Sequence, residues 1–250
     1  MYKTNGFKDD WYRHWFGPEY LKVYNHRDQK DAAILMDIFI QYAHPKSDQT
    51  FLDLACGNGR HAHILAQKGL NVVGVDLSMP LLTLACHASI SQNVPKFIQA
   101  DMRWLPLKSK FNGVLSLFTS FGYFLKEEDN KKVLLEITRV LKPAGVYLLD
   151  YMNASFVKKH LVKKSVRRVD DIEIHEKRYL DKKRVYKEII LYQDRRRKDF
   201  FESVRLYSKE ELIALLQQAG FKVEKIFGNY RAEPYHNSSE RMIFFCRKIS

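Results

Sequence analysis

The stretch Phe51-Leu52-Asp53-Leu54-Ala55-Cys56-Gly57-Asn58-Gly59-Arg60-His61-Ala62 decides the fold. It begins as an apolar run typical of a buried strand, and its glycines stand where a strand turns into a helix. Gly57 permits the tight turn and Gly59 lets the backbone come close to a ligand, while Ala62 permits close packing of the helix. Unpaired amides at the start of that helix can also hold a carboxylate. The stretch therefore predicts a turn that binds a nucleotide-type ligand.

An acidic residue follows the glycines at the expected spacing. Asp76 ends the next apolar run, 17 positions after Gly59. Folds of this type place the group that hydrogen-bonds the ribose hydroxyls at that position. Taken together, the glycines and Asp76 favour a nucleotide-type ligand and still leave an NAD-dependent dehydrogenase open.

From residue 50 onward, the sequence alternates between β and α patterns. This alternation predicts a mainly parallel sheet with helices on both faces. An amphipathic helix is predicted before it at 31–43, and Ser208 begins another helix with a capping box. The predicted strands are 50–55, 71–76, 96–100, 111–118, 145–151, 222–228 and 241–248, with helices between them near 60–68, 80–92 and 128–141.

The chain divides into three parts by composition. Residues 1–45 hold an aromatic-rich arm and are expected to form a lid, while 46–154 and 208–250 are expected to form the core. Residues 155–207 break the βα rhythm, which predicts an antiparallel β insertion that covers the substrate. The insertion carries 17 Lys and Arg against nine Asp and Glu, which is +8 of the formal net charge of +13. Such an excess fits RNA or simply a basic surface.

Bulk composition limits the class of protein. The chain has 250 residues, of which 46% are hydrophobic and 28% charged, as expected for one large globular α/β domain with an insertion. Its first ten residues hold no apolar core of a signal peptide, and no apolar run is long enough to span a bilayer. Three widely spaced cysteines argue against a disulfide framework and a zinc site. We expect a cytoplasmic protein without a metal; its oligomeric state is left open.

Four landmarks resemble, in order and spacing, the class I S-adenosylmethionine (SAM) dependent methyltransferases. They are the glycine stretch, Val73-Gly74-Val75-Asp76-Leu77-Ser78, Gln99-Ala100-Asp101-Met102 and Val140-Leu141-Lys142-Pro143-Ala144-Gly145. The resemblance covers roughly residues 50–152 and the carboxyl-terminal strands. It implies a seven-stranded, mainly parallel Rossmann-like methyltransferase sheet with an antiparallel last strand, helices on both faces and an added antiparallel β insertion.

The resemblance also implies the cofactor, SAM, with S-adenosylhomocysteine as product. Asp53 would anchor the amino-acid end of SAM, Asp76 would bind the ribose, and Asp101 would accept a hydrogen bond from the adenine amine. A dehydrogenase fingerprint does not require Asp101, so this residue discriminates between the two classes. The residues predicted to bind the cofactor are Asp53, Ala55, Gly57, Gly59, Asp76, Leu77, Asp101, Met102 and Phe118.

Residues that contact the acceptor are expected at the carboxyl ends of strands, where open α/β sheets bind ligands, and on the aromatic arm. The predicted substrate residues are Tyr20, Tyr24, Arg27, Tyr123 and Tyr151. The sulfonium of SAM is already an activated leaving group, so a base is needed only if the nucleophile must lose a proton. Candidates for that base are His14, Tyr123 and His236.

The first functional hypothesis is a methyltransferase that acts on an O, N or C nucleophile of a small-molecule substrate by in-line displacement. The alternative is an RNA methyltransferase that holds phosphates with its basic insertion. A nucleotide-binding module without catalysis is a third hypothesis, because a fold does not guarantee a reaction. The end of the fourth strand, Ser116-Leu117-Phe118-Thr119-Ser120, lacks the Asp/Asn-Pro-Pro-aromatic motif of enzymes that methylate base amines.

Overall fold

A seven-stranded sheet forms the centre of the protein, seen in a computed structural model that describes residues 8–24, 29–88, 93–108 and 110–249. The described strands are β1 Thr50–Leu54, β2 Asn71–Asp76, β3 Lys96–Gln99, β4 Phe111–Ser116, β5 Leu141–Met152, β6 Lys164–Val169, β7 Ile172–Leu180, β8 Arg184–Gln193, β9 Arg196–Arg205, β10 Phe221–Phe227 and β11 Arg241–Lys248. The described helices are α1 Tyr12–Trp15, α2 Pro18–Val23, α3 Gln29–Ala43, α4 Arg60–Gln67, α5 Met79–His87, α6 Glu127–Val140, α7 Ala154–His160 and α8 Lys209–Gln218.

The strand order of the central sheet is β10-β11-β5-β4-β1-β2-β3. Strands β1 to β5 run parallel, and β11 is antiparallel to both of its neighbours, β5 and β10. The predicted Rossmann-like sheet with an antiparallel last strand is therefore confirmed. Because β2 and β4 flank β1, the carboxyl ends of all three strands meet at one edge, where such sheets bind ligands.

Alternating side chains of the sheet are covered by helices on both faces. In β1, Phe51 points to the face that packs against α3 and α4. The next residue, Leu52, points to the opposite face, where it belongs to the cluster that includes α6 and α8. This alternation follows from the two-residue period of a strand, and it confirms the predicted helices on both faces.

The insertion forms a second, four-stranded antiparallel sheet of order β6-β7-β8-β9. Its buried side chains, Ile172, Ile174, Ile189 and Leu191, pack against Trp11, Trp15 and Val23 of the amino-terminal arm. The arm formed by α1 and α2 thus lies against the second sheet, and each buries apolar surface of the other.

The start of the insertion differs from the prediction, because residues 154–160 form helix α7 rather than a β-type run. The side chain of Asn153 caps this helix, accepting a hydrogen bond from the Ser155 amide at 3.1 Å. Three basic residues lie in the last turn of α7, where they complement the helix dipole. The capping residue and this charge placement were readable in the sequence and outweigh the local β-type pattern.

Arg184 of β8 connects the second sheet to the loop between β4 and α6. It is only 6% exposed, and its guanidinium donates to the carbonyls of Gly122, Tyr123 and Phe124 at 2.9 to 3.1 Å. The same group donates to the hydroxyl and the carbonyl of Ser203. Five acceptors around one planar donor fix the position of this loop, which borders the site described below.

Replacement of Arg184 by Met should lower the free energy of unfolding by about 2–4 kcal/mol, because it leaves several buried carbonyls without a donor. Urea unfolding followed by circular dichroism measures the change. The matched control is Arg196→Met, since Arg196 is exposed at the start of β9 and should change stability by about 0.5 kcal/mol at most. Equal effects of the two substitutions would contradict a clamping role for Arg184.

In the parts of the chain that the structure describes, none of the helices has the length and apolar character needed to cross a bilayer. The same parts of the chain bring together no group of three or more His, Cys, Asp and Glu side chains suited to a metal ion. Cys56, Cys86 and Cys246 are free thiols.

Candidate cofactor and acceptor site

The glycine turn after β1 is bound to the end of β2 by backbone and side-chain hydrogen bonds. The amide of Cys56 donates to the carbonyl of Val75 at 3.0 Å. The Asp76 carboxylate accepts from the amides of Gly57 and Ser78, each at 2.8 Å and each on a different oxygen. Burial raises the pKa of Asp76, although both hydrogen bonds favour its ionised form. A carboxylate accepts about four hydrogen bonds, so Asp76 keeps lone pairs for a ligand hydroxyl.

The two glycines of the turn are required for different structural reasons. Both adopt left-handed backbone angles, with φ of 56° at Gly57 and 75° at Gly59. A Cβ atom on Gly59 would lie 2.7 Å from the ring of Phe97 and 2.9 Å from Ala85, whereas one on Gly57 would meet only Leu81 at 3.8 Å. Gly59 therefore serves the packing of β3 and α5 against the turn, and Gly57 leaves space beside it. The predicted close approach of a ligand fits Gly57 and not Gly59.

A cavity of about 530 Å³ opens at this edge of the sheet. Its walls are the glycine turn and the start of α4, the carboxyl ends of β2, β3 and β4, and the aromatic arm. The predicted residues that line it are Ala55, Gly57, Asp76, Leu77, Asp101, Met102, Phe118, Tyr20, Tyr24 and Tyr123. The structure thus brings together, in one cavity, residues predicted for the cofactor and residues predicted for the acceptor.

Asp53 lies outside the residues that line the cavity and is buried in β1, 1% exposed. Its Oδ2 atom has no hydrogen-bond partner among the described residues. Burial raises the pKa of Asp53 to about 7; the Ala62 amide opposes this rise, while the charge of Asp76 adds to it. A cationic group bound at the turn would stabilise the ionised carboxylate, and the α-amino group of SAM is such a group. This residue, the open space beside Gly57 and the acceptor capacity of Asp76 all fit SAM.

Asp101 follows β3 and is held by Arg103. The guanidinium of Arg103 donates to both carboxylate oxygens of Asp101, at 3.0 and 2.7 Å. Burial alone would raise the pKa of Asp101, but these hydrogen bonds and the charge of Arg103 hold it below its ordinary value. Arg103 also donates to Asp129 at 3.0 Å and to the Tyr12 hydroxyl at 3.3 Å. Asp101 therefore stays ionised, and Arg103 ties the arm to it.

The end of β4 carries an unusual backbone. Phe118 and Thr119 have φ of 52° and 63°, which ends the strand at Ser116, two residues before the predicted end. Asp150, fully buried in β5, accepts from the Phe118 amide at 2.9 Å through its side chain and from the Thr119 amide at 3.0 Å through its carbonyl. Arg241 donates to the Asp150 carboxylate at 2.6 and 2.8 Å. These contacts over-determine the strained loop, as is usual where a backbone borders a binding site.

His61, in the first turn of α4, was not predicted as a site residue, yet it lines the cavity. Its ring lies 5.1 Å from the ring of Phe118. Burial, aided by the charge of Arg60, lowers the pKa of His61 to about 3, so the imidazole is neutral at physiological pH. Phe16 and Tyr12 of the arm also line the cavity without having been predicted. Helical spacing after the glycines could have indicated His61; nothing in the sequence singled out Phe16 and Tyr12 among the aromatic residues of the arm.

Three of the residues predicted to contact the acceptor or to act as a base lie outside the cavity. Tyr151 is fully buried in β5 and donates its hydroxyl hydrogen bond to the carbonyl of Arg205, so it is a core residue rather than an acceptor contact. His14 lies on an exposed helix face 3.5 Å from Asp10, and His236 lies in an exposed loop. Neither histidine lines the cavity, which removes the geometric basis for a role as base. Arg27 lies outside the described residues.

The second sheet was predicted to cover the substrate, but none of its described residues lines the cavity. The arm stands between them. Phe16 accepts a hydrogen bond from the Ser78 hydroxyl at 2.5 Å through its carbonyl, which fastens the arm beside Asp76. The second sheet therefore supports the arm from behind rather than touching the space where an acceptor would bind.

The strand order, the glycine turn after β1 and the acids after β2 and β3 define a class. This arrangement is the Rossmann-like fold of the class I SAM-dependent methyltransferases. Residues 51–145 match the family described as "Methyltransferase domain". Over these residues the chain is similar to a methyltransferase domain, and its fold is that of this class, whose cofactor is SAM.

Known proteins agree with this assignment. Over 127 residues the chain is 31% identical to a glycine/sarcosine N-methyltransferase of Halorhodospira halochloris, a match that covers 50% of this chain and 47% of that protein. The chain thus spans about half the length of this relative.

Two solved structures share the fold. A SAM-dependent methyltransferase from Clostridium acetobutylicum superposes with a TM-score of 0.81 at 20% identity, covering 92% of this chain and 96% of that one. CalS10, a SAM-bound amino pentose methyltransferase from Micromonospora echinaspora, gives a TM-score of 0.68 at 19% identity, with 99% and 100% covered. At these identities the likeness shows the fold.

Alanine at the two glycines should separate folding from binding. Gly59→Ala should lower the free energy of unfolding by about 2–4 kcal/mol, because the methyl group overlaps Phe97 and Ala85 in a left-handed backbone. Gly57→Ala should lower the free energy of unfolding by about 1–2 kcal/mol. It should weaken SAM binding more than Gly59→Ala does, because Gly57 lines the cavity. Chemical unfolding and isothermal titration with SAM measure the two effects. The reverse ranking in stability would show that the packing argument is wrong.

The raised pKa of Asp53 predicts pH-dependent cofactor binding. The folded value of about 7 exceeds the unfolded value of about 3.9, so ligand-free protein gains stability as pH falls through 7 and loses it as pH rises. A cationic ligand favours the ionised carboxylate, so SAM should bind more weakly at pH 6 than at pH 8. Isothermal titration across this range, with Asp53→Asn as control, measures the effect. A wild-type profile that matches the Asp53→Asn profile would exclude Asp53 as its source.

Proposed function

We propose that this chain transfers the methyl group of SAM to an O, N or C nucleophile of a small-molecule acceptor by in-line displacement. The observation that carries the proposal is a single cavity in which the glycine turn and two acids face an aromatic arm. One side of this cavity suits a nucleotide-type cofactor, and the other side, which is aromatic, suits an acceptor. Cofactor and acceptor would therefore meet in this cavity, where the methyl group would be transferred.

In this proposal, each part of the cofactor has a partner in the chain. Asp76 would hold the ribose hydroxyls, and Asp101 with the backbone at Met102 would hold the adenine. The turn at Gly57 would hold the amino-acid end, with Asp53 behind it. The bound cofactor supplies an activated methyl group on a sulfonium, so the chain's own work is to orient the acceptor and exclude water.

The arm supports a small acceptor rather than a polymer. Ser78 holds Phe16 and Arg103 holds Tyr12, so the arm is fixed in place as one wall of the cavity. A volume of about 530 Å³ is within the range of small-molecule sites. The glycine/sarcosine N-methyltransferase and the amino pentose methyltransferase named above also act on small molecules according to their names. These likenesses support the proposal.

The charge of the insertion gives limited support to RNA as the acceptor. Several of its cations are committed to structural contacts: Arg178 and Lys187 pair with Glu176, Arg205 pairs with Glu211, and Arg184 is buried against carbonyls. Burial alone would raise the pKa of Glu176, but Lys187, Arg178 and the hydrogen bond from Ser165 lower it to about 2. Since none of the described insertion residues lines the cavity, an RNA held there would have to reach past the arm.

Incubation with methyl-labelled SAM tests the proposal. We expect label in low-mass material when the protein is given a cell metabolite extract, and none in total RNA. Asp76→Ala should weaken SAM binding by about 10- to 100-fold, because it removes a charged hydrogen-bond acceptor. Liquid chromatography of the labelled products and isothermal titration measure both effects.

Because Asp76 also braces the turn, Leu135→Ala serves as a control for folding: Leu135 is an exposed residue of α6, 56% accessible. This variant should keep the affinity of the wild type for SAM. Label confined to RNA would replace the proposal by the RNA alternative. A protein that binds SAM and labels no fraction would be a binding module without catalysis.

A further inference from the structure

The acceptor side of the cavity is built from aromatic rings that touch one another. We define the aromatic wall as Phe16, Tyr20, Tyr24 and Tyr123, all of which line the cavity. Ring centroids are 5.0 Å apart between Phe16 and Tyr20, 5.5 Å between Phe16 and Tyr123 and 4.9 Å between Tyr20 and Tyr24. The interplanar angles vary from 26° to 72°, so the rings present faces in several directions. Faces of aromatic rings carry partial negative charge and attract cations.

Packing behind the wall holds these rings in place. The ring of Trp11 lies 5.2 Å from that of Tyr123, and the ring of Trp15 lies 5.7 Å from that of Tyr20. Trp11 and Trp15 are 4% and 1% exposed and pack against the second sheet. The wall is therefore pre-organised, which lowers the entropic cost of binding a ligand between its rings.

Tyr24 connects the wall to charged residues of the second sheet. Its hydroxyl lies 2.7 Å from both carboxylate oxygens of Glu202 and donates to this carboxylate, which also accepts from the Trp15 indole at 2.5 Å. The same hydroxyl accepts a hydrogen bond from the Lys187 ammonium at 2.9 Å, so Glu202 and Lys187 together fix the Tyr24 ring. The ammonium of Lys187 lies 4.5 Å from the Tyr24 ring centroid, so the structure already holds one cation at this ring. Glu202 is thus a positioning residue for Tyr24, acting from outside the cavity.

The charges that line the cavity also tolerate a cation. The described lining residues include two acids, Asp76 and Asp101, and one base with a fixed charge, Arg60. Arg60 lies 5.0 Å above the ring of Phe118, near the start of α4 rather than on the aromatic wall. An acceptor that gains positive charge against the wall would therefore meet rings that attract this charge.

We propose that the acceptor is an amine, recognised at the aromatic wall through the positive charge that its nitrogen gains. This inference rests on the proposed methyl transfer. The nitrogen lone pair forms the new N–C bond as the S–C bond breaks, and the electron pair of the broken bond stays on sulfur. The sulfonium becomes a neutral thioether and the amine becomes an ammonium, whose proton, if it carries one, passes to water. The wall faces the charge as it develops, which is where stabilisation lowers the barrier.

Chemical blocking of amines tests the acceptor class. The metabolite extract is divided, and the amines of one half are acylated before incubation with labelled SAM and the intact protein. We expect label in low-mass products of the untreated half and at least a tenfold loss of label after acylation. Label that survives acylation would overturn the amine assignment while leaving the proposed methyl transfer intact.

A binding experiment tests the aromatic wall without turnover. Tetramethylammonium chloride and neopentyl alcohol, an uncharged analogue of similar shape, are titrated into the protein, with and without S-adenosylhomocysteine, and binding is followed by tryptophan fluorescence. We expect the cation to bind at least about fivefold more tightly than the neutral compound. This ratio lies within the range that cation–π contacts supply, from exposed sites to desolvated ones. Equal affinities, or no binding of the cation, would overturn the proposal even in a protein that transfers methyl groups.

Two substitutions place the binding on the wall. Tyr20→Leu should remove the preference for the cation, whereas Tyr20→Phe, which keeps the ring, should retain it. The matched control is Tyr192→Leu, because Tyr192 is an exposed tyrosine of β8 that does not line the cavity. Loss of the preference in Tyr192→Leu, or its persistence in Tyr20→Leu, would place the cation elsewhere. A charge preference without any methyl transfer would support the wall as a cation site and reject the proposed function.

Discussion

The carboxylate of Asp76 is the contact on which the rest of the site depends. One of its oxygens holds the Gly57 amide of the turn after β1, and the other holds the amide of Ser78. Ser78 in turn caps α5 by accepting from the Leu81 amide and holds the Phe16 carbonyl of the arm. One acid thus joins the glycine turn, the end of β2, the start of a helix and the arm. The glycine turn and the arm, which form two walls of the cavity, share this support, so neither wall is built independently of the other.

A second level of support comes from the antiparallel sheet. Arg184 holds the loop that carries Tyr123, and Glu202 holds Tyr24 and Trp15 of the arm. Both residues act on the cavity wall without touching the cavity. Polar and charged side chains of the insertion therefore position aromatic residues that come from distant parts of the sequence. In this way a segment with a large basic excess supports the aromatic wall.

Much of the fold followed from local signals in the sequence. The bounds of β2 and β11 agree with the prediction, because a continuous apolar run in each strand is flanked by polar residues. The cavity placement of Asp76 and Asp101 followed from spacing, since parallel strands bring their carboxyl ends to one edge. Helix α7 was missed because one capping residue, Asn153, outweighs a weak β pattern over seven residues. The prediction that Tyr151 contacts the acceptor was wrong for a related reason. Alternation in the sequence shows that a strand has two faces, but only the packing of α8 and Tyr207 against Tyr151 shows that its face belongs to the core.

Long-range pairs could not be read from the sequence at all. Arg241 lies 91 residues from Asp150, and Glu202 lies 178 residues from Tyr24, so no spacing rule connects them. Such pairs decide the fine geometry of the site, including the left-handed backbone at Phe118 that aims its ring at His61. Both the strained loop and the buried carboxylate of Asp53 raise the free energy of the folded protein without ligand. A cationic ligand at the turn offsets part of that cost, since it stabilises the ionised form of Asp53. Asp53 therefore lowers the stability of the ligand-free protein and is a residue through which a bound cofactor would stabilise it.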